Sequence, residues 1–173
     1  MPTAAELVTA LEARAAEGPR WRDTDTGIGI ILSPLAGERF WILPLDLTEA
    51  ARRAALSAMG RDSGPICDLL VVLSGEGRPS ICAVELKGRN ITRGLSQLLA
   101  VVGDLLPPQG REAADAAVVR ACLLSTSPEP GGPHYRRRRA RLEGLLGEDS
   151  VLVKTGLPSR TELDVTRFVR SGR

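Results

Sequence analysis

Two periods of apolar residues alternate along this chain, and the switches between them outline an α/β protein. In AAELVTALEARAAE, residues 4–17, Leu7, Leu11 and Ala15 recur at helical spacing. Thr3 and Glu6 are placed as a capping box, and Gly18-Pro19 stops the helix. Residues 28–33 and 39–45 predict two short strands joined around Pro34 and Gly37. Alanine and leucine predict a helix over residues 47–59, broken by GRDSGP. ICDLLVVLS and SICAVELKG, separated by GEGRP, predict an antiparallel hairpin over residues 66–87. LSQLLAVVGDLLP is apolar around most of its circumference and predicts a helix buried against a sheet. A strand over residues 117–124, an arginine-rich helix over 134–146, and strands in SVLVKTGL and ELDVTRFVR complete the chain. The expected fold is α/β: a single mixed β-sheet with flanking helices, in one domain over residues 1–173.

The hairpin carries the unusual chemistry. Side chains alternate across a strand, so Ile81, Ala83, Glu85 and Lys87 share one face and Cys82, Val84 and Leu86 the other. A turn near residues 75–78 places Asp68 opposite about residue 85, within about two residues of register. One reading is an ordinary polar strand end, with Glu85 paired to Lys87 or either side chain reaching past the sheet edge. Against it, a second carboxylate beside Glu85 raises the cost of burial unless a proton or cation is present. A hard divalent cation, Mg²⁺ or Mn²⁺, resolves that cost and accepts carboxylate, water and phosphate oxygens.

Composition narrows the choices. Aromatic residues make up only 3%, so the core must be aliphatic and base stacking is a poor basis for recognition. A net charge of +2 does not by itself imply a polyanion partner, although arginine dominates the basic set and suits bidentate phosphate contacts. Cys67, Cys82 and Cys122 fit no zinc spacing and read as reduced, buried thiols. No charged-then-apolar leader opens the sequence and no apolar run reaches about 18 residues, so a cytoplasmic protein with no membrane partner is expected. GIGIILSPLAG lacks both the dinucleotide and the phosphate-loop spacings. Asp62-Ser63 and Ser125-Thr126-Ser127 lack a histidine-centred relay. His134, the single histidine, is placed in a loop, and Trp21 and Trp41 read as packing groups.

Asp68 followed, after sixteen residues, by Glu85-Leu86-Lys87 on the next strand resembles the PD-(D/E)XK nuclease superfamily, which includes restriction endonucleases, Holliday-junction resolvases and RecB-type exonucleases. The resemblance covers roughly residues 47–124 and implies a restriction endonuclease-like core. It implies that Asp68 and Glu85 bind Mg²⁺ or Mn²⁺ and that the Leu86 carbonyl is an additional ligand. Lys87 then orients the attacking water or stabilises charge at the phosphate. Gln97 occupies the place where RecB-like members carry a glutamine on the following helix. Two features depart from the pattern: position 101 is valine where some relatives have tyrosine, and Pro65 lies three residues before Asp68 in place of a Pro-Asp pair. Glu49, and less strongly Glu12 and Glu6, are candidates to complete the acidic site from a helix.

In HYRRRRARLEGLL, Leu142, Leu145 and Leu146 can bind the helix to the body, leaving Arg136, Arg137, Arg138, Arg139 and Arg141 to contact phosphates without reading bases. The alternative is a solvated face paired with local acids. Glu162 and Asp164 form a reserve acidic pair on the terminal strand. The expected function is thus a metal-dependent phosphodiester hydrolase acting on nucleic acid, DNA before RNA. The rivals are a noncatalytic nucleic-acid-binding module and a protein-assembly subunit. A homodimer or a targeting protein suits a chain too small for a separate sequence-reading domain.

Overall fold

The computed structural model describes residues 3–106 and 117–170. Thr3 opens the first helix, α1 (Ala4–Leu11): its Oγ1 accepts the Glu6 N–H while its own N–H donates to Glu6 Oε2. The helix is shorter than expected, because Glu12–Arg14 tighten into a single 3-10 turn. Three short strands follow: β1 (Arg20–Arg22), β2 (Gly29–Ile31) and β3 (Arg39–Pro44). Thr48 then caps α2 (Glu49–Ala58) by accepting the Ala51 N–H. The predicted hairpin forms as β4 (Leu69–Ser74) and β5 (Ser80–Lys87). Asn90, in the left-handed conformation, caps α3 (Ile91–Leu105), which begins four residues earlier than the apolar run suggested; Pro107, the end of that run, lies outside the described residues. Next come β6 (Val118–Ser125), α4 (Pro133–Leu146) with Pro133 in its first turn, β7 (Val151–Lys154), β8 (Glu162–Asp164) and α5 (Thr166–Arg170).

The strands make two sheets, which corrects the single-sheet expectation. The larger has the order β3-β4-β5-β6-β7 and is mixed: β3, β4 and β5 run antiparallel, while β6 and β7 each lie parallel to their neighbour. The smaller has the order β1-β2-β8, with β2 and β8 parallel despite their separation in sequence. The expected terminal strand over ELDVTRFVR is also corrected. Asp164 Oδ1 accepts both the N–H and the hydroxyl of Thr166, a capping arrangement that ends β8 and starts α5.

Alternation divides the larger sheet into two covered faces, giving a three-layer molecule. On one face Leu70, Val72, Ile81, Ala83, Ala121 and Leu123 pack beneath α1, α2, α3 and α4. On the other, Val71, Cys82, Val84 and Cys122 meet Ile28, Ile30, Val165 and Val169 from the smaller sheet, α5 and the residues flanking them. All three cysteines are buried and free, as expected. Among the described residues no helix is long and apolar enough to cross a membrane.

Leu98, fully buried on α3, fastens that helix to the sheet. Leu98→Ala is expected to lower the unfolding free energy by about 2–5 kcal/mol, checked by denaturant titration; a loss below about 1 kcal/mol would show that α3 is not packed as described.

Candidate metal centre

The hairpin register brings the two carboxylates to one face. Leu69 lies opposite Val84, so Asp68, one residue before β4, continues the register toward Glu85 as the sequence pattern indicates. Asp68 has the parity of Leu70 and Val72, and Glu85 that of Ile81 and Ala83, so both belong to the face covered by the helices. The Asp68 backbone is fixed from the other side by its carbonyl, which accepts the Leu45 N–H at 2.8 Å.

Asp68 Oδ2 accepts the Leu86 N–H at 2.6 Å, taking the place of a ladder bond where β4 has not yet begun. The Lys87 carbonyl accepts the Thr126 N–H on the β6 side. Successive peptide groups point to opposite edges of a strand, so the Leu86 carbonyl lies on the Asp68 side. Glu85 is completely buried, and its carboxylate meets the Lys87 ammonium, which is 21% exposed. Beyond that ion pair its oxygens lack hydrogen-bond partners among the described residues.

Burial pushes the Glu85 carboxyl up to about 8, and repulsion from Asp68 adds to the shift, while Lys87 opposes it. Burial also raises Asp68; the Leu86 N–H and Lys87 offset part of this, and Asp23 and Asp46 add repulsion. For Lys87 burial disfavours the charge, but Glu85 and Asp68 outweigh it and hold the ammonium above its ordinary value. Two carboxylates and one ammonium leave one negative charge uncompensated in a largely dry place. A proton on Glu85 or a bound cation would remove it.

Gly94, in the first turn of α3, sets how closely the helix covers this pair. A Cβ there would stand 3.1 Å from both Glu85 Cγ and Lys87 Cγ and 3.0 Å from Leu123 Cδ1. The close approach of α3 thus depends on a missing side chain, a signal present in the sequence as a helix-interior glycine. Gln97, one turn on, donates from Nε2 to the Ile66 carbonyl at 2.6 Å, holding the segment that leads into Asp68; its Oε1 is buried without a partner.

The other acidic candidates are elsewhere. Glu6 is used in the α1 cap, Glu12 accepts the Trp41 indole N–H, and exposed Glu49 lies 3.9 Å from Arg53. Glu162 pairs with Arg22, and Asp164 is bonded to Ser33 and Thr166, so the reserve pair is committed to the smaller sheet. Asp23 and Asp46, not foreseen, are the acidic neighbours felt by Asp68. Asp46 is paired with Arg52 and Asp23 with Thr26. Among the described residues no group of three or more His, Cys, Asp or Glu is placed to hold a metal ion.

The arginine helix divides by partner. Arg139 binds Glu143 at 2.8 Å and Glu129 at 3.2 Å, so it is structural. Arg136, Arg137 and Arg141 are exposed and Arg138 half-buried. Tyr135 and Leu142 anchor the helix; Leu145, expected to do so, is 46% exposed. His134 belongs to the first helical turn rather than to a loop. The Thr126 and Ser127 hydroxyls both donate to the Gly88 carbonyl, fastening the chain just after Lys87. No family model, curated protein or solved structure matches the chain at a significant level.

Two outcomes are expected. Gly94→Val, which forces α3 away from Glu85 and Lys87, should cost about 1–3 kcal/mol by denaturant titration. Because the folded-state value of Glu85 is raised from 4.5 to about 8, its contribution to stability is complete at low pH and is lost as pH rises through about 8. In chelator, the stability of the wild type relative to Glu85→Gln should therefore fall between about pH 5 and pH 9. A pH-independent difference would show that Glu85 ionises normally.

Proposed function

We propose that the protein is a metal-dependent phosphodiester hydrolase acting on nucleic acid, DNA before RNA, with Asp68 and Glu85 as ligands of Mg²⁺ or Mn²⁺. One observation carries the reading: Glu85 is fully buried, with Lys87 as its one ion-pair partner among the described residues, on the strand face and at the hairpin end that also carry Asp68. A strand end that merely needed solubility would leave such a carboxylate in water. The resemblance of Asp68 and Glu85-Leu86-Lys87 to the PD-(D/E)XK motif supports the same assignment.

The donors fit a hard cation. Asp68 uses Oδ2 for the Leu86 N–H and leaves Oδ1 available, Glu85 has an unpartnered buried oxygen, and the Leu86 carbonyl lies on the same side. Two carboxylates suffice for an ion that retains water and takes up substrate phosphate. When bound, the cation would supply charge neutralisation at non-bridging oxygens and a more acidic water. Lys87 stabilises negative charge at the attacked phosphate and orients the water. Its raised affinity for protons favours this electrostatic role over that of a neutral base. Gln97 acts as a positioning residue through the Ile66 carbonyl.

A second reading, a nucleic-acid-binding module without hydrolysis, draws on the ammonium already seated against Glu85 and on the lack of a third acidic ligand among the described residues. Calorimetric Mn²⁺ titration joined to cleavage assays on single-stranded, duplex and branched substrates separates the two. Asp68→Asn and Glu85→Gln should each weaken Mn²⁺ binding at least about tenfold and abolish cleavage, while Lys87→Met should retain binding and lose about 10²–10³-fold in rate. Below about pH 8, Mn²⁺ binding to the wild type should release protons, because Glu85 must give up its own. Nucleic-acid binding without Mn²⁺ uptake or cleavage would establish the second reading instead.

A further inference from the structure

A cleft of about 480 Å³ lies between α3 and α4, where Ser96 and Leu99 adjoin His134, Arg137, Arg138 and Arg141. Among the described residues no carboxylate lines it, and none of these three arginines makes an ion pair. They differ in this from Arg139, whose charge is taken up by Glu129 and Glu143. A second cavity, of about 240 Å³, continues along α3 with Asp46, Arg52, Ile66, Arg93, Ser96 and Gln97 on its wall, Asp46 being paired with Arg52. Ser96 belongs to both. Gln97 and Ile66 lead to Asp68, and Arg93 is close enough to Lys87 to disfavour its charge. With Arg52 taken up by Asp46, Arg93 is the positive group that continues the line from the α4 arginines, past Ser96, toward the hairpin end.

We infer that this line is the track of one phosphodiester strand, which Arg137, Arg138 and Arg141 grip and which Ser96 and Arg93 lead toward Asp68, Glu85 and Lys87. The inference rests on the hydrolase reading for the track's destination, but the grip itself needs no metal. Three guanidinium groups without an acidic partner among the described residues, side by side along one cleft, are complementary to successive phosphates, whatever the bases. The small proportion of aromatic residues agrees with backbone contact rather than stacking.

Fluorescence anisotropy in EDTA, with labelled single-stranded and duplex oligonucleotides of about 20 residues, tests the grip apart from the metal. The triple variant R137Q/R138Q/R141Q should bind at least about tenfold more weakly, and the slope of log affinity against log salt should shrink by about 2–3. The control R14Q/R53Q/R78Q removes three exposed arginines outside the cleft and should change affinity less than about threefold. Ser96→Glu, which adds a carboxylate where the cavities meet and leaves the arginines in place, should also weaken binding. Loss on the single strand, the duplex or both supports the track, and the form bound more tightly identifies its occupant. Equal losses in the two triple variants, or no binding of either oligonucleotide by the wild type, would overturn it. Mn²⁺ titration of R137Q/R138Q/R141Q keeps the two proposals apart: unchanged metal affinity beside unchanged nucleic-acid affinity sinks the track alone.

Discussion

A carboxylate without solvent exposure on the central strand of a sheet is the constraint around which this protein is arranged. Glu85 cannot be hydrated where it stands, and Lys87 balances only one of the two acids present. The fold keeps both acids on one face by means that are themselves rigid. The antiparallel register of β4 and β5 sets their separation, and Asp68 replaces a missing strand neighbour by accepting the Leu86 N–H. A buried polar group of this kind is costly unless some partner completes it. That unresolved cost is what turns a strand end into a candidate site.

The remaining architecture defines how the site meets its surroundings. The smaller sheet and α5 cover the far face of the larger sheet, so Glu85 and Lys87 project only toward the helices. There α3 approaches most closely, at Gly94, and Gln97 reaches across to the segment before Asp68. The same helix carries Ser96 on the cleft shared with α4 and Arg93 on the adjoining cavity beside Ile66. The two carboxylates, the Gln97 amide and an arginine-lined cleft are thus connected through one rigid element rather than through loops. This suits chemistry that depends on geometry and preorganised charge.

Much of the core was legible because its periodicities were strong and local. The hairpin register could be read from one turn and two aliphatic runs, and it placed Asp68 opposite Glu85 before any side chain was located. The capping box at Thr3 was equally local. The smaller sheet was not legible, because its strands have three residues each and β2 pairs with β8 across most of the chain. The terminal helix was missed because apolar residues in ELDVTRFVR fit a strand period, whereas the Asp164–Thr166 cap decides otherwise. Arg136 to Arg141 read as one cluster in sequence. Only helical geometry, with Glu129 and Glu143 nearby, separates structural Arg139 from the cleft arginines. The influence of Asp23 and Asp46 on Asp68 likewise arises from tertiary approach, which no short window contains.

The central claim is that Asp68 and Glu85 share a hard cation, and a crystal structure of the protein soaked in Mn²⁺, with anomalous scattering measured at the manganese edge, tests it most directly. The account predicts an anomalous peak within bonding distance of both carboxylates, with the Lys87 ammonium displaced from Glu85 but still beside it. Saturating Mn²⁺ that leaves the Glu85–Lys87 pair closed and produces no peak between Asp68 and Glu85 would contradict it.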